Sequence, residues 1–121
     1  MKNQIYKPPL LLNIMKKEVH YIYLFRHGMT AYNRDRIFTG RVDIPLIEQG
    51  FNDAKLVALR LKDKKIALAF HTSLKRSQQT LNEVLKFHKD CKLVLEDNRM
   101  IERDYGSLSS KSPLETIKKF G

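Results

Sequence analysis

The chain has 121 residues, 42% of them hydrophobic, which fits one globular domain with a modest core. Its formal net charge of +10 favours anionic ligands. The lysines are scattered in short pairs instead of forming one tract, which argues against nucleic-acid binding. The single cysteine, Cys91, excludes an internal disulfide and gives no metal-ligand spacing. We predict no metal site and no cofactor.

The first residues of the chain have the features of an extension that precedes a folded domain. The apolar run at residues 10–14 is too short and interrupted for a signal-peptide core or a membrane span. Pro8 and Pro9 favour an extended backbone. We therefore predict an extension over residues 1–18, either a disordered tail or an upstream addition, and a folded domain over residues 19–121. We also predict no membrane contact and a cytoplasmic location.

The first half of the domain is predicted to contain one strand and one helix. Residues 19–25 are rich in β-branched and aromatic side chains, which predicts a strand. Residues 29–47 are predicted to be mostly loop, because Gly40 and Pro45 interrupt them. Residues 48–62 carry apolar side chains at helical spacing, which predicts a helix with one apolar face.

The second half continues the alternation. Residues 66–70 form a short apolar run typical of a strand buried on both faces, and residues 74–87 show a helical apolar stripe. Residues 92–95 predict a third strand. Ser112 and Glu115 have the spacing of a capping box, with Pro113 at the first helical position, which predicts the start of a further helix. Alternating strands and helices predict an α/β fold with parallel strands and helices on both faces.

Side chains suited to phosphate chemistry follow the three predicted strands. Arg26 and His27 follow the first, Arg76 lies shortly after the second, and Glu102 follows the third. Because ligands of open α/β sheets bind at the carboxyl ends of the strands, we expect these four side chains to meet in one cleft. Arginine can hold phosphoryl oxygens, and neutral imidazole can attack phosphorus.

Five segments carry motifs of a known family: residues 24–33, 38–46, 48–50, 72–80 and 101–106. Together, and in the family's order, they resemble the histidine phosphatase superfamily, which includes phosphoglycerate mutases and many phosphatases. The resemblance implies a phosphoglycerate mutase-like three-layer α/β/α sandwich, represented here by its N-terminal portion and therefore truncated. It also implies phosphoryl transfer through a phosphohistidine.

The roles expected of the site residues follow from this resemblance and their chemistry. His27 is expected to attack phosphorus, and Glu102 to protonate the leaving oxygen and then activate water. The other candidates are expected to bind the phosphate or line the substrate cleft: Arg26, Asn33, Thr39, Gly40, Arg76 and Tyr105. We predict hydrolysis of a small phosphomonoester. The alternatives are a phosphoglycerate mutase and a catalytically impaired phosphate-binding fragment.

Other interpretations of single residues stay open at this stage. Glu102 could instead pair with Arg99 or Arg103 as a surface ion, and Tyr105 could serve packing alone. The remaining histidines are His20 and His88, expected at the surface or in packing, and His71, expected near the cleft.

The chain also departs from the family pattern. Met29 stands where the family commonly has a polar or acidic residue. Ile47 replaces a helix-capping hydroxyl and so predicts a weak helix start. Pro113 replaces a substrate lysine of the mutases, and Lys111 could substitute for that lysine. The family's second histidine, in a His-Gly motif on a central strand, is missing. Its absence predicts a truncated or degenerate domain, or one that is completed by a homo-oligomer or a complementing chain.

Overall fold

A computed structural model describes residues 18–120. Apart from Glu18, the predicted extension at residues 1–18 lies outside the described residues, so its two interpretations stay predictions. No helix within residues 18–120 is both long and apolar enough to cross a membrane.

The described residues form four helices and one pair of parallel strands. The helices are α1 (Ala31–Arg34), α2 (Glu48–Leu61), α3 (Lys75–Leu85) and α4 (Pro113–Phe120), and the strands are β1 (Leu68–His71) and β2 (Leu93–Glu96). Single 3-10 turns follow at Asn98–Met100 and Gly106–Leu108. β1 pairs with β2 in parallel, with Leu68 opposite Leu93 and His71 opposite Glu96. The parallel α/β arrangement is confirmed, but burial of the strand on both faces is not, because Leu68 and Phe70 of β1 are 45% and 49% exposed.

The core lies mainly between α2 and α3. Ala54 and Ala58 of α2 are buried, and the small side chains let α3 approach closely. Leu81 and Val84 fill the opposing face of α3. This packing fixes the position of α3, whose first turns carry Arg76.

The predicted strand at residues 19–25 is wrong for this structure, which assigns no secondary structure there. Ile22 is 93% exposed and Leu24 79% exposed. The reason is that none of the described residues pairs with this segment, and an extended segment without ladder hydrogen bonds is not a strand. Its side chains form one wall of an open groove of about 1150 Å³, with Leu68 and Phe70 of β1 also lining it.

The starts of two helices show how capping differs along the chain. At α4, Ser112 and Glu115 exchange side-chain-to-backbone hydrogen bonds, so the predicted capping box is confirmed. At α2, Ile47 provides no side-chain cap. α2 nevertheless begins at Glu48, because the Ile47 amide donates to the Met29 carbonyl at 3.1 Å and thereby ties the helix start to the preceding segment.

Candidate active site

All eight residues that the sequence singles out line one cleft of about 120 Å³. The eight are Arg26, His27, Asn33, Thr39, Gly40, Arg76, Glu102 and Tyr105, and Ile37 and Phe38 complete the lining. They come from the segment before α1, from α1, from the loop after it, from the start of α3 and from the chain beyond β2. The fold therefore brings together residues that are up to about 80 positions apart.

The His27 imidazole is half-buried, and one of its nitrogens has a fixed role. Nδ1 lies 2.7 Å from the carbonyl oxygen of Gly28. A carbonyl oxygen only accepts, so Nδ1 carries the proton and donates. In the neutral ring, Nε2 then keeps its lone pair, which is the electron pair a nucleophile needs.

The electrostatic surroundings of His27 favour that neutral ring. Burial lowers the pKa of His27 below its ordinary value of about 6.5. The hydrogen bond to Gly28 opposes this shift, while the positive charges of Arg76 and Arg26 lower the pKa further. The Glu102 carboxylate opposes it more weakly.

Arg76 is 2% exposed and holds the loop that forms one side of the cleft. Its guanidinium donates to the carbonyl oxygens of Gly40 and Val42, each at 2.7 Å. Guanidinium has five N–H donors, so three remain for a ligand. Burial lowers the pKa of Arg76, and the carboxylates of Glu102 and Asp43 counteract that shift. Arg76 can therefore bind an anion while it also positions the loop.

Asn33 is oriented by the first turn of α1. Its Oδ1 accepts hydrogen bonds from the backbone N–H of Thr30 at 3.0 Å and from the Thr30 hydroxyl at 2.9 Å. The backbone donor identifies this atom as the amide oxygen. The Asn33 Nδ2 group is thus left to donate at the cleft.

Glu102 is exposed at the mouth of the cleft, and its Oε1 accepts from the Arg103 backbone N–H at 3.0 Å. Arg99 pairs with Asp97 instead, through a short contact. Within residues 18–120 the Glu102 carboxylate has no ion-pair partner, so neither surface pairing considered from the sequence is present. Arg26 is also exposed.

The loop wall depends on a glycine and an aromatic pair. Gly40 has a φ of +54°, and a Cβ there would lie 3.1 Å from both the Tyr105 ring and the Ser109 hydroxyl oxygen. The rings of Tyr105 and Phe38 are 5.0 Å apart. Tyr105 therefore packs against the loop and also faces the cleft.

The remaining histidines lie outside the cleft. His20 is exposed, and His88 is 3% exposed, in agreement with surface and packing positions. His71 lines the apolar groove beside β1, and its Nδ1 lies 2.8 Å from the Thr72 carbonyl oxygen. Lys111 contacts Phe38 through its backbone, but its side chain is not part of the cleft lining.

Two structural features of the site were not assigned from the sequence. The Thr80 hydroxyl accepts a hydrogen bond from the Gly28 amide at 3.0 Å. Gly28 also lies directly against Gly50 of α2, too close for a Cβ on either residue. A partial signal exists for Thr80, because it follows Arg76 by four positions and so shares its helix face.

Comparison with known proteins identifies the family of this chain. The family model of the histidine phosphatase superfamily (branch 1) matches residues 22–121. The chain belongs to this superfamily.

Similar proteins carry two kinds of activity in their names. A 2,3-bisphosphoglycerate-dependent phosphoglycerate mutase of Mesorhizobium japonicum is 36% identical over 104 residues, covering 83% of this chain and 50% of that protein. The fructose-2,6-bisphosphatase TIGAR of Bos taurus is 38% identical over 96 residues, covering 77% of this chain and 35% of that protein. The chain spans half or less of the length of these relatives.

The fold agrees with solved structures as well. A mycobacterial glucosyl-3-phosphoglycerate phosphatase, solved with VO3, superposes with a TM-score of 0.71 at 23% identity, covering 78% of this chain and 44% of that one. At this identity the likeness supports the fold alone.

Proposed function

We propose that the chain transfers the phosphoryl group of a small phosphomonoester to His27 and then to water. The observation that carries this proposal is the hydrogen bond from His27 Nδ1 to the Gly28 carbonyl oxygen. It leaves Nε2 as the free nucleophilic atom of the ring, in a cleft that also contains two arginines.

In the first step, Nε2 attacks phosphorus and a P–N bond forms as the P–O bond to the leaving group breaks. Glu102 supplies a proton to the departing oxygen. Glu102 suits this role because its carboxylate lies at the cleft without an ion-pair partner among the described residues. In the second step, Glu102 takes a proton from water, water attacks phosphorus, and the P–N bond breaks to release phosphate and free imidazole.

Arg26, Arg76 and Asn33 are proposed to hold the phosphoryl oxygens. The arginines neutralise charge that spreads over those oxygens during transfer. Arg76 has three free N–H donors beside its two loop bonds, and Asn33 has its Nδ2 group. Thr39, Gly40 and Tyr105 are proposed to contact the rest of the substrate.

Two alternatives have support of their own. The names of mutase relatives favour isomerisation of a phosphoglycerate, whereas the open cleft mouth favours hydrolysis because water reaches a phosphohistidine there. A phosphate-binding role without turnover is the second alternative, because His27 is the one histidine lining the cleft within residues 18–120. Completion of the site by a homo-oligomer or a complementing chain, and a cytoplasmic location, stay predictions.

The proposal is tested by incubating the chain with a labelled small phosphomonoester and measuring acid-labile, base-stable phosphate on the protein. We expect labelling of the wild type and none of His27→Ala. His71→Ala is the matched control, since His71 makes the same contact to the next carbonyl oxygen but lies outside the cleft. Labelling that persists in His27→Ala would exclude His27 as the nucleophile.

A further inference from the structure

The hydroxyl of Thr80 connects the segment after His27 to helix α3. The Gly28 amide donates to Thr80 Oγ1 at 3.0 Å, across 52 positions of sequence. The same hydroxyl donates to the Arg76 carbonyl oxygen at 2.8 Å. Thr80 is 1% exposed, so no solvent can replace either bond. One buried hydroxyl therefore links the chain that carries the imidazole to the helix that carries the buried guanidinium.

The two peptide groups on either side of Gly28 determine how the His27 ring is held. The peptide between His27 and Gly28 is fixed through its N–H by Thr80. The next peptide carries the carbonyl oxygen that accepts from His27 Nδ1, and its Met29 N–H donates to Asp53 Oδ2 at 3.2 Å. Glycine restricts its backbone angles less than any other residue, so the orientation of these peptides depends on such external partners.

We infer that Thr80 is a positioning residue for His27: its hydroxyl fixes the backbone that selects the Nδ1–H tautomer and sets the spacing between His27 and Arg76. The part of this inference that concerns catalysis rests on the proposed function. The part that concerns the ring tautomer does not, since it follows from the hydrogen bonds of the unliganded chain.

The alternative is that Thr80 only fills space in the core. Thr80→Val separates the two, because valine has nearly the same shape but leaves the Gly28 amide without an acceptor. Thr80→Ser keeps the hydroxyl and removes a methyl group. Thr116→Val is the matched control: Thr116 donates to the Ser112 carbonyl oxygen at 3.0 Å, the same contact four residues back along a helix, but it is not part of the cleft lining.

Two measurements decide the question. We expect Thr80→Val to slow phosphohistidine formation about tenfold or more, because small misplacements of reacting groups have large effects on rate. We also expect nitrogen NMR to show a mixture of His27 tautomers in this variant, and the Nδ1–H form alone in the wild type, Thr80→Ser and Thr116→Val. A Thr80→Val variant that matches Thr116→Val, or a Thr80→Ser variant as impaired as Thr80→Val, would overturn the inference. If the wild type forms no phosphohistidine, the proposed function fails while the tautomer comparison still tests Thr80.

A measurement on the unaltered chain covers the case in which Thr80→Val does not fold. We expect the Gly28 amide to exchange with solvent as slowly as the amide of buried Val84 in α3. Rapid exchange of the Gly28 amide would show that its bond to Thr80 is not maintained, and would overturn the inference.

Discussion

Gly28 and Gly50 lie backbone against backbone, with no room for a Cβ atom on either residue. This contact places the start of α2 directly against the segment that carries His27. The two glycines are separated by 21 residues of loop and short helix, and each is required by the closeness of the other's chain.

We predict that Gly50→Ala destabilises the protein. In an open helix interior alanine is favoured over glycine by about 1 kcal/mol. Here the new Cβ would overlap the Met29 carbonyl oxygen, a backbone atom that cannot move independently. We expect a net loss of about 1–3 kcal/mol in the free energy of unfolding, measured by urea denaturation. Asn52→Ala, at an exposed position of the same helix, is the control and should be neutral or slightly stabilising. A stabilised Gly50→Ala would contradict the described packing.

We predict that the two arginines of the cleft respond differently to substitution. Arg26→Ala should leave the melting temperature without ligand unchanged, because Arg26 is exposed, but should remove most of the stabilisation by vanadate or phosphate. In the wild type that stabilisation is about 2.7 kcal/mol at 100 times the dissociation constant. An equal shift in Arg26→Ala would place the anion elsewhere, for instance on the dispersed lysines.

Arg76→Ala should lower stability even without an anion. It removes two 2.7 Å hydrogen bonds and leaves the carbonyl oxygens of Gly40 and Val42 without that donor. We expect a loss of about 2–4 kcal/mol in the free energy of unfolding, since each bond to a charged group contributes about 1.5–3 kcal/mol and the effects are not fully additive. Arg41→Ala is the control at an exposed arginine of the same loop, which makes one longer bond of 3.3 Å to the Glu102 carbonyl oxygen. A variant as stable as Arg41→Ala would show that Arg76 does not hold the loop.

The lowered pKa of His27 predicts a pH dependence with a definite sign. Because the folded state binds the proton more weakly than the unfolded state, this group makes stability fall as pH drops below about 6.5, until the folded-state pKa is passed. Phosphohistidine formation should lose rate as pH falls through the folded-state pKa, which lies below 6.5, because the folded ring becomes protonated there. Arg26→Ala should raise the His27 pKa and Glu102→Gln should lower it, both measured by NMR titration. Shifts of the opposite sign would contradict the described electrostatics.

We predict that the chain exposes apolar surface in solution, at the open groove between residues 19–25 and β1. Ile22, Leu24 and Phe70 all line this groove and are largely exposed. A contiguous patch of this kind binds hydrophobic dye or another chain. We expect dye binding or concentration-dependent association, reduced in the double variant Ile22→Asp, Leu24→Asp. Leu56→Asp, at an exposed leucine outside the groove lining, is the control. A monomer that binds no dye would show that the groove is closed.

Local sequence signals predicted the elements that depend on local chemistry. The spacing of apolar residues predicted α2 and α3, and Ser112 with Glu115 predicted the start of α4. The strand expected at residues 19–25 failed, because β-branched composition indicates a capacity to pair and not the presence of a partner. The sequence also named eight residues that line the cleft. Four were expected from their positions after predicted strands and their phosphate chemistry, and the other four, Asn33, Thr39, Gly40 and Tyr105, from the family resemblance.

The supporting contacts of the cleft could not be predicted in the same way. Arg76 reaches Gly40 and Val42 across more than 30 positions, and Thr80 reaches Gly28 across 52. Such partners are determined by how α3 packs, which no local pattern encodes. For this reason the sequence predicted only that Arg76 binds an anion, and not that it also holds the loop at Gly40 and Val42.

The most direct test of the central claim is to identify the atom of the protein that becomes phosphorylated. The measurement is phosphorus and nitrogen NMR of the chain after reaction with a small phosphomonoester, with His71→Ala as the control sample. The bond from His27 Nδ1 to the Gly28 carbonyl oxygen predicts a single phosphohistidine, on His27 and at Nε2. Phosphate at Nδ1 of His27, phosphate on another residue, or no phosphoprotein at all would contradict the proposed mechanism.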